Sequence, residues 1–354
     1  MLVTSSIDRA LAHLAALVAF NTQNPPRAHN ASSPIFDYLA KTLRDAGCDV
    51  SLTGLGDGSV NLLATRGSAN TLINCHLDTV PVCNGWTADP FTASITNGRV
   101  HALGACDVKG PASALLAAIE ADESPVAVLF TSDEEAGQAR CVRTFAASTQ
   151  CNYDLVVVTE PTQLQCVTSH RGILTCEADF TGVGAHSSSQ HARSAIHSAI
   201  RWSHSVLTDL APGDGANPHR LNIGRIEGGA KPNVVASTAK LLLGMRPAAG
   251  VDPEALLTRL KHANPAHAPS SLRTRFCAPA LRACNGAGAK LAGIGINPAG
   301  PVDFWTEAAL FAEAGHEAVV YGPGDIAQAH TPDEWIAIDQ LERAAEQYVS
   351  LLAL

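Results

Sequence analysis

The stretch Val126-Ala127-Val128-Leu129-Phe130-Thr131, followed by Ser132-Asp133-Glu134-Glu135, decides the fold. A short, continuous apolar run suits a central strand covered on both faces, and this one ends abruptly in three acids. Leu155–Thr159 has the same character and ends in Glu160-Pro161. Val60–Ala64 and Thr71–Cys75 also read as strands. Helical patterns alternate with them. Ser33-Pro34 supplies a cap and a first-turn proline for a helix closed by Gly47, with Ile35, Phe36, Leu39 and Leu43 as its buried face. Pro111–Ala121 and Arg140–Ala147 read as further helices. The result is an α/β class chain: a mixed, largely parallel sheet covered by helices.

The pattern changes after Pro161. Strand Ile173–Phe180, helix Ser194–Leu210, strands Leu221–Ile226 and Val234–Met245, helix Pro253–Ala263 and strand Leu272–Cys277 follow in order. This is the βαββαβ order of the ferredoxin-like split unit, with turns at Pro212-Gly213 and Gly228-Gly229. The chain then returns to α/β material: helix Phe304–Ala314, strand Ala318–Tyr321 and helix Ile338–Leu354. A lone late strand has nothing to pair with unless it rejoins the first sheet. The expected division is therefore 1–167 and 278–354 as one domain, with 168–277 inserted as a second.

Composition excludes several classes. Of 354 residues, 46% are hydrophobic and 16% charged, which argues against disorder. Lys+Arg 24 against Asp+Glu 33 gives −9, and without a basic block that disfavours nucleic acid as a partner. The first twenty residues place Ile7, Leu11, Leu14, Leu17 and Val18 on one stripe, with Asp8, Arg9 and His13 interspersed, so they read as a surface helix. No run reaches the roughly 18 apolar residues of a membrane span, so the expectation is a cytoplasmic protein without a membrane partner. The ten cysteines form no CxxC and read as reduced thiols, Cys166 and Cys176 among them buried. His13, His29, His219, His262 and His267 read as surface positions, and His197 and His204 as packing or solvent positions.

Acids and histidines gather where strands end. His76 closes an apolar strand and Asp78 follows two residues later, on the same side of the chain. A carboxylate there can fix the imidazole tautomer that binds a metal. Asp107 lies between Gly104 and Gly110 just before a helix, which it or a neighbour could equally cap. Glu134 and Glu135 point differently, so one can ligate while the other acts as a base. Glu160 and His330 complete the set. Each is a weak signal alone. Together they put two histidines and several carboxylates at one end of one sheet, where α/β ligands usually lie. That donor set suits Zn²⁺ or a similar divalent ion, and a bridging carboxylate can hold two ions. Cys75 and Cys106 precede two of these residues and face away from them.

The segments HLDTVP (76–81), GACDVKG (104–110), SDEEAG (132–137), TEP (159–161) and AHTPDE (329–334) resemble, in this order, the dinuclear zinc deacylase and exopeptidase family. This is the family of acetylornithine deacetylases and succinyl-diaminopimelate desuccinylases. The resemblance covers nearly the whole chain. Residues 302–308 and 321–330 look most like its N-acetylcitrulline and N-acetylornithine deacetylase branch.

The resemblance implies one metal on His76, Asp107 and Glu160, and a second on Asp107, Glu135 and His330. It implies one or two Zn²⁺ ions, with Co²⁺ able to substitute. Glu134 would be the general base and Asp78 would support His76. In the inserted domain, HRG (170–172) and GVGAHSS (182–188) match the family's lid motifs, and His186 would stabilise the oxyanion, from a partner subunit in many relatives. Asn233, Arg246 and Arg171 would bind substrate, the first two at its α-carboxylate, for which a guanidinium fork is suited. The implied activity is hydrolysis of the N-acetyl amide of an N-acetylated amino acid in arginine biosynthesis, with N-acetylcitrulline ahead of N-acetylornithine. The implied assembly is a homodimer through the lid. The alternatives are a desuccinylase, an acetyl-lysine deacetylase, a dipeptidase, and a silent dimeric binding protein. The last should have lost ligands, which this chain has kept.

Overall fold

A computed structural model describes residues 5–26, 29–211, 217–283 and 285–354. The Pro212-Gly213 turn and Cys284 lie outside the described residues. The chain divides into two compact units. The first comprises Met1–Ser169, Ala283–Pro301 and Thr306–Leu354; the second comprises His170–Arg282 and Val302–Trp305.

The first unit is built on a six-stranded sheet. In spatial order its strands are Asp49–Gly56, Ser59–Arg66, Val126–Thr131, Thr71–His76, Leu155–Val158 and Ala318–Val320. The last four run parallel and the first two are antiparallel. Every residue of Val126–Thr131, Thr71–His76 and Leu155–Val158 is buried, as the unbroken apolar runs require. One face packs on a cluster that includes Leu14, Leu17, Phe36, Leu39, Leu115 and Tyr348, from helices Ser6–Ala19, Pro34–Asp45, Lys109–Ala121 and Ile338–Leu352. Helices Arg140–Ala146 and Ala308–Glu313 pack together and also touch the sheet. Register aligns the strand ends: His76 pairs with Thr131, Asn74 with Val158, and Val158 with Val320. The residues that leave these strands therefore emerge along one edge.

The second unit is a four-stranded antiparallel sheet in the order Ser271–Ala278, Ile173–Thr181, Thr238–Met245, Asn222–Gly228. Helices Ala195–Leu210 and Pro253–His262 give it the expected βαββαβ connectivity. Alternate residues Leu174, Cys176, Ala178 and Phe180 enter its core with Trp202, Leu241 and Leu260. Glu177 and Asp179, the in-between residues, instead pair with Lys240, Arg273 and Arg275. That alternation is the period of two that a strand imposes.

Several boundaries differ from the sequence reading. The helix expected over 304–314 is Ala308–Glu313, because Val302–Trp305 belongs to the second unit. The strand expected from Val234 begins at Thr238. Residues before it pair with the 185–187 loop, through Val235 N–H to the Ala185 carbonyl at 2.8 Å. Ser33 does occupy the N-cap, but its hydroxyl accepts from the Asn30 amide rather than from its own helix. His13 and His29 are buried, not surface residues. His13 Nδ1 lies 2.7 Å from the Tyr38 hydroxyl and Nε2 lies 3.2 Å from Glu120.

His170, at the start of the second unit, is 2% exposed, and its Nδ1 donates to the Arg171 carbonyl at 2.8 Å. Burial pushes its pKa down to about 4, because a charged imidazole there loses its hydration. A lowered histidine pKa means that folding excludes a proton the unfolded chain binds. This contribution is intact above pH ~6.5 and fades as pH falls toward 4; over two to three pKa units it is on the order of 3 kcal/mol. His170→Gln should therefore lose less stability than the wild type between pH 7 and pH 4.5 in urea unfolding. Equal losses would show that His170 is not the group responsible.

Candidate metal centre

The strand edge of the first unit collects the chemistry-bearing residues. His76 ends strand Thr71–His76, and Asp133, Glu134 and Glu135 follow Val126–Thr131. Glu160 follows Leu155–Val158, and His330 follows the turn after Ala318–Val320. Asp107 arrives on the loop before helix Lys109–Ala121, across a cis peptide to Val108. It is not the helix cap, a position held by Val108.

Two groups of donors share Asp107. Nitrogen and carboxylate oxygens of His76, Asp107 and Glu160 lie within 4.8 Å of one another, and so do those of Asp107, Glu135 and His330. His76 Nε2 is 3.1 Å from Asp107 Oδ1 and 3.7 Å from Glu160 Oε1. His330 Nε2 is 3.2 Å from Asp107 Oδ2 and 3.0 Å from Glu135 Oε1. Asp107 thus presents one oxygen to each histidine. His76 Nδ1 donates to the Asp78 main-chain carbonyl at 2.9 Å, which makes Nε2 the nitrogen turned toward the carboxylates.

The Asp78 carboxylate has a second task. Its oxygens accept the main-chain amides of Glu134 at 3.3 Å and Glu135 at 3.1 Å, and the Asn24 side-chain amide at 3.0 Å. One buried carboxylate therefore sets the backbone of the acidic loop. The three consecutive acids separate in role. Asp133 turns away and accepts the Arg140 and Cys141 amides and the Ser59 hydroxyl, which seats helix Arg140–Ala146. Glu134 and Glu135 remain at the site.

The electrostatics call for cations. Burial and Glu135 push Glu134 up to about 8. Burial and then Asp107 push Glu160 well above the carboxylate range. Asp107 is buried too, yet hydrogen bonds from His330 and His76 outweigh that and hold it low. Asp107 and Glu135 push His330 up to about 11. Acids that repel each other, beside histidines that seek protons, are a donor set for divalent ions. The residues present fit a metal with His and carboxylate ligands. Cys75 and Cys106 belong to neither group. Burial pushes the Cys75 thiol up to about 12.

Glycines let the loops close. Gly322 passes the Glu160 backbone so tightly that a Cβ would stand 2.7 Å from the Glu160 carbonyl oxygen. Gly324, at φ +96°, leaves room for the Cys106 sulfur.

Two buried acids at this edge were not singled out by sequence. Glu334 accepts main-chain amides of the 104–107 loop; its signal was an acid four residues after His330 in an already suspect segment. Glu307 is 1% exposed and follows the sequence 302–306. Its Oε2 accepts from the Thr131 hydroxyl at 3.4 Å, and burial with Asp133 pushes it well up.

The remaining expected residues lie in the second unit. His186 bridges Val234, and the Ser187 amide donates to the Asn233 carbonyl at 3.1 Å, so His186 and Asn233 sit on paired loops. His186 Nδ1 is 2.8 Å from the Ser188 hydroxyl. Arg246 follows strand Thr238–Met245. Its carbonyl accepts from Arg171 Nη1 at 3.2 Å. The Arg171 guanidinium also donates to Asp303 and to the Pro218 carbonyl, so it is engaged inside the unit.

The model of peptidase family M20/M25/M40 matches residues 72–354. The chain is 43% identical to N-acetyl-L-citrulline deacetylase of Xanthomonas campestris pv. campestris, over 97% of each chain. It is 32% identical to acetylornithine deacetylase of Proteus mirabilis, over 90% of this chain and 89% of that one. Among solved structures it resembles an M20 family metallo-carboxypeptidase from Sulfolobus solfataricus (TM-score 0.80, 19% identity, 98% and 99% covered). A tripeptidase from Staphylococcus aureus is similar in fold (TM-score 0.78, 20% identity, 99% and 98% covered). Among the described residues no helix is long and apolar enough to cross a membrane.

Proposed function

Because the chain belongs to peptidase family M20/M25/M40, and is a metal-dependent amidohydrolase, we propose that it hydrolyses the N-acetyl amide of an N-acetylated amino acid. N-acetylcitrulline is the first choice of substrate and N-acetylornithine the second, in arginine biosynthesis in the cytoplasm. The observation that carries the reaction is the pair of donor groups sharing Asp107, with Glu134 beside them and in neither. The similarity to the Xanthomonas deacetylase supports the citrulline assignment.

His76, Asp107 and Glu160 would hold one ion, and Asp107, Glu135 and His330 a second. Zinc suits this His and carboxylate set, and cobalt can replace it. When bound, the metal polarises the acyl carbonyl and acidifies water. Glu134 takes the proton of the attacking water as its oxygen bonds to the carbonyl carbon. The C–N bond then breaks, and Glu134 passes the proton to the leaving amine. Acetate and the free amino acid are the products. Asp78 keeps Glu134 and Glu135 in place through their amides.

In the second unit, His186 would stabilise the developing oxyanion, and Asn233 and Arg246 would bind the α-carboxylate. Arg171, with its guanidinium engaged by Asp303 and two carbonyls, would contribute by holding the Arg246 segment rather than by direct contact. A homodimer through this unit is supported by its edge strand Asn222–Gly228, where Ile226 is 57% exposed, and by Ile200 on helix Ala195–Leu210, 53% exposed. An unpaired strand edge is a template for a second copy.

The test is amine release by the zinc- or cobalt-loaded protein from N-acetylcitrulline and N-acetylornithine, beside succinylated, acetyl-lysine and dipeptide substrates. Release from N-acetylcitrulline at the highest kcat/KM is expected. Turnover of the dipeptide alone would overturn the reaction class.

A further inference from the structure

Glu334 has no part in the chemistry above, yet it is 1% exposed and fully engaged. Its Oε1 accepts the main-chain amides of Cys106 at 2.7 Å and Asp107 at 2.9 Å, and its Oε2 accepts that of Gly104 at 3.0 Å. Three amide donors are what makes a buried carboxylate tolerable. The backbone of Glu334 is itself fixed. Strand Trp335–Ala337 pairs with Arg99–His101, and the Glu334 carbonyl accepts the Ala102 amide at 3.1 Å. On the other side, Glu334 stands four residues after His330, whose φ of +60° marks a tightly constrained turn. Gly104, at φ +79°, has no room for a Cβ, which would lie 2.9 Å from Thr79 Cγ2. The loop that carries Asp107 is therefore gripped along its length by a residue from the segment that carries His330.

We propose that Glu334 is a positioning residue, whose carboxylate grips the Gly104, Cys106 and Asp107 amides and presets the Asp107 side chain against His330. The inference rests on the reading of Asp107 and His330 as metal ligands. It makes the second donor group a product of two carboxylates that belong to neither donor group: Glu334 sets the Asp107 loop, and Asp78 sets the Glu135 loop. Groups that orient ligands in this way typically change metal affinity by about 10–100-fold when removed.

The test uses Glu334→Gln, which keeps the shape but turns an NH₂ toward an amide donor, so at least one of the three bonds is lost. Zinc affinity of the folded full-length protein is measured by competition with a chromophoric chelator, together with the thermal midpoint of the chelator-stripped protein. Zinc binding about 10–100-fold weaker, with the stripped midpoint within a few degrees of wild type, is expected. Unchanged zinc affinity of the folded protein would overturn the proposal, whatever happens to the midpoint. Should the Gln variant fail to fold, Glu334→Asp, which keeps the charge and shortens the reach, is read in the same way. Asp107→Asn separates this idea from its premise. If that variant binds zinc as tightly as wild type, the ligand reading itself falls.

Discussion

Glu134→Gln should lower kcat by about 10²–10⁴-fold while metal content and melting behaviour stay near wild type. Glu134 belongs to neither donor group among the described residues, so its loss removes none of these ligands. Its backbone is held independently of its side chain. The amide donates to Asp78 Oδ1 at 3.3 Å, and the carbonyl accepts from Gly137 at 2.9 Å. Glutamine fills the same space and cannot carry a proton from water to the amine. Burial and the neighbouring Glu135 raise Glu134 to about 8, and bound cations act against that push. A base lost in this way depresses kcat and leaves KM nearly unchanged. Glu135→Gln is the contrasting variant, since it should lose metal as well as rate. A Glu134→Gln enzyme with near-normal kcat would sink the assignment.

The legible parts of the molecule were those where one residue type announces one environment. Val126–Thr131 and Leu155–Val158 are buried throughout because they lie inside a largely parallel sheet, and their apolar runs said so. The acids after them stood out because they follow strands too apolar to end casually. The illegible parts depend on pairing across long separations. Strand Asp49–Gly56 lies at the sheet edge; it has no apolar run, and its alternation, with Val50 and Leu52 between polar residues, is short and broken at Gly54. Ser94–Thr96, Arg99–His101 and Trp335–Ala337 are three residues each, too short for any period, yet their pairing places Glu334. His13 and His29 looked like surface residues because a histidine carries no mark of burial until its neighbours are known. Asp78 was expected to support His76 with its carboxylate. Its carbonyl takes the closer contact with the imidazole, and the carboxylate holds the 134–135 backbone. Backbone acceptors are invisible to a reading of side-chain types.

Stripping the metals with a chelator should abolish turnover reversibly and destabilise the protein more at pH 8 than at pH 6. Within the site, protons and metal ions compete for the same atoms. Asp107 and Glu135 raise His330 to about 11, so without metal this imidazole keeps a proton that the unfolded chain releases near pH 6.5. A raised pKa stabilises the fold fully below the unfolded value, and the benefit drains away as pH climbs toward the folded one. Glu134, raised to about 8 chiefly by burial, acts in the same direction over pH ~4.5–8, because ionising it in the fold is harder than in the open chain. Glu160, also raised by burial, adds to the trend. The stripped protein should therefore lose stability as pH rises from 6 to 8. Metal ions supply the missing positive charge, and they bind more tightly as fewer protons oppose them. The gap between the thermal midpoints of loaded and stripped protein should thus widen with pH. A gap that stays constant or narrows from pH 6 to pH 8 would mean that these acids and histidines are not where the metal binds.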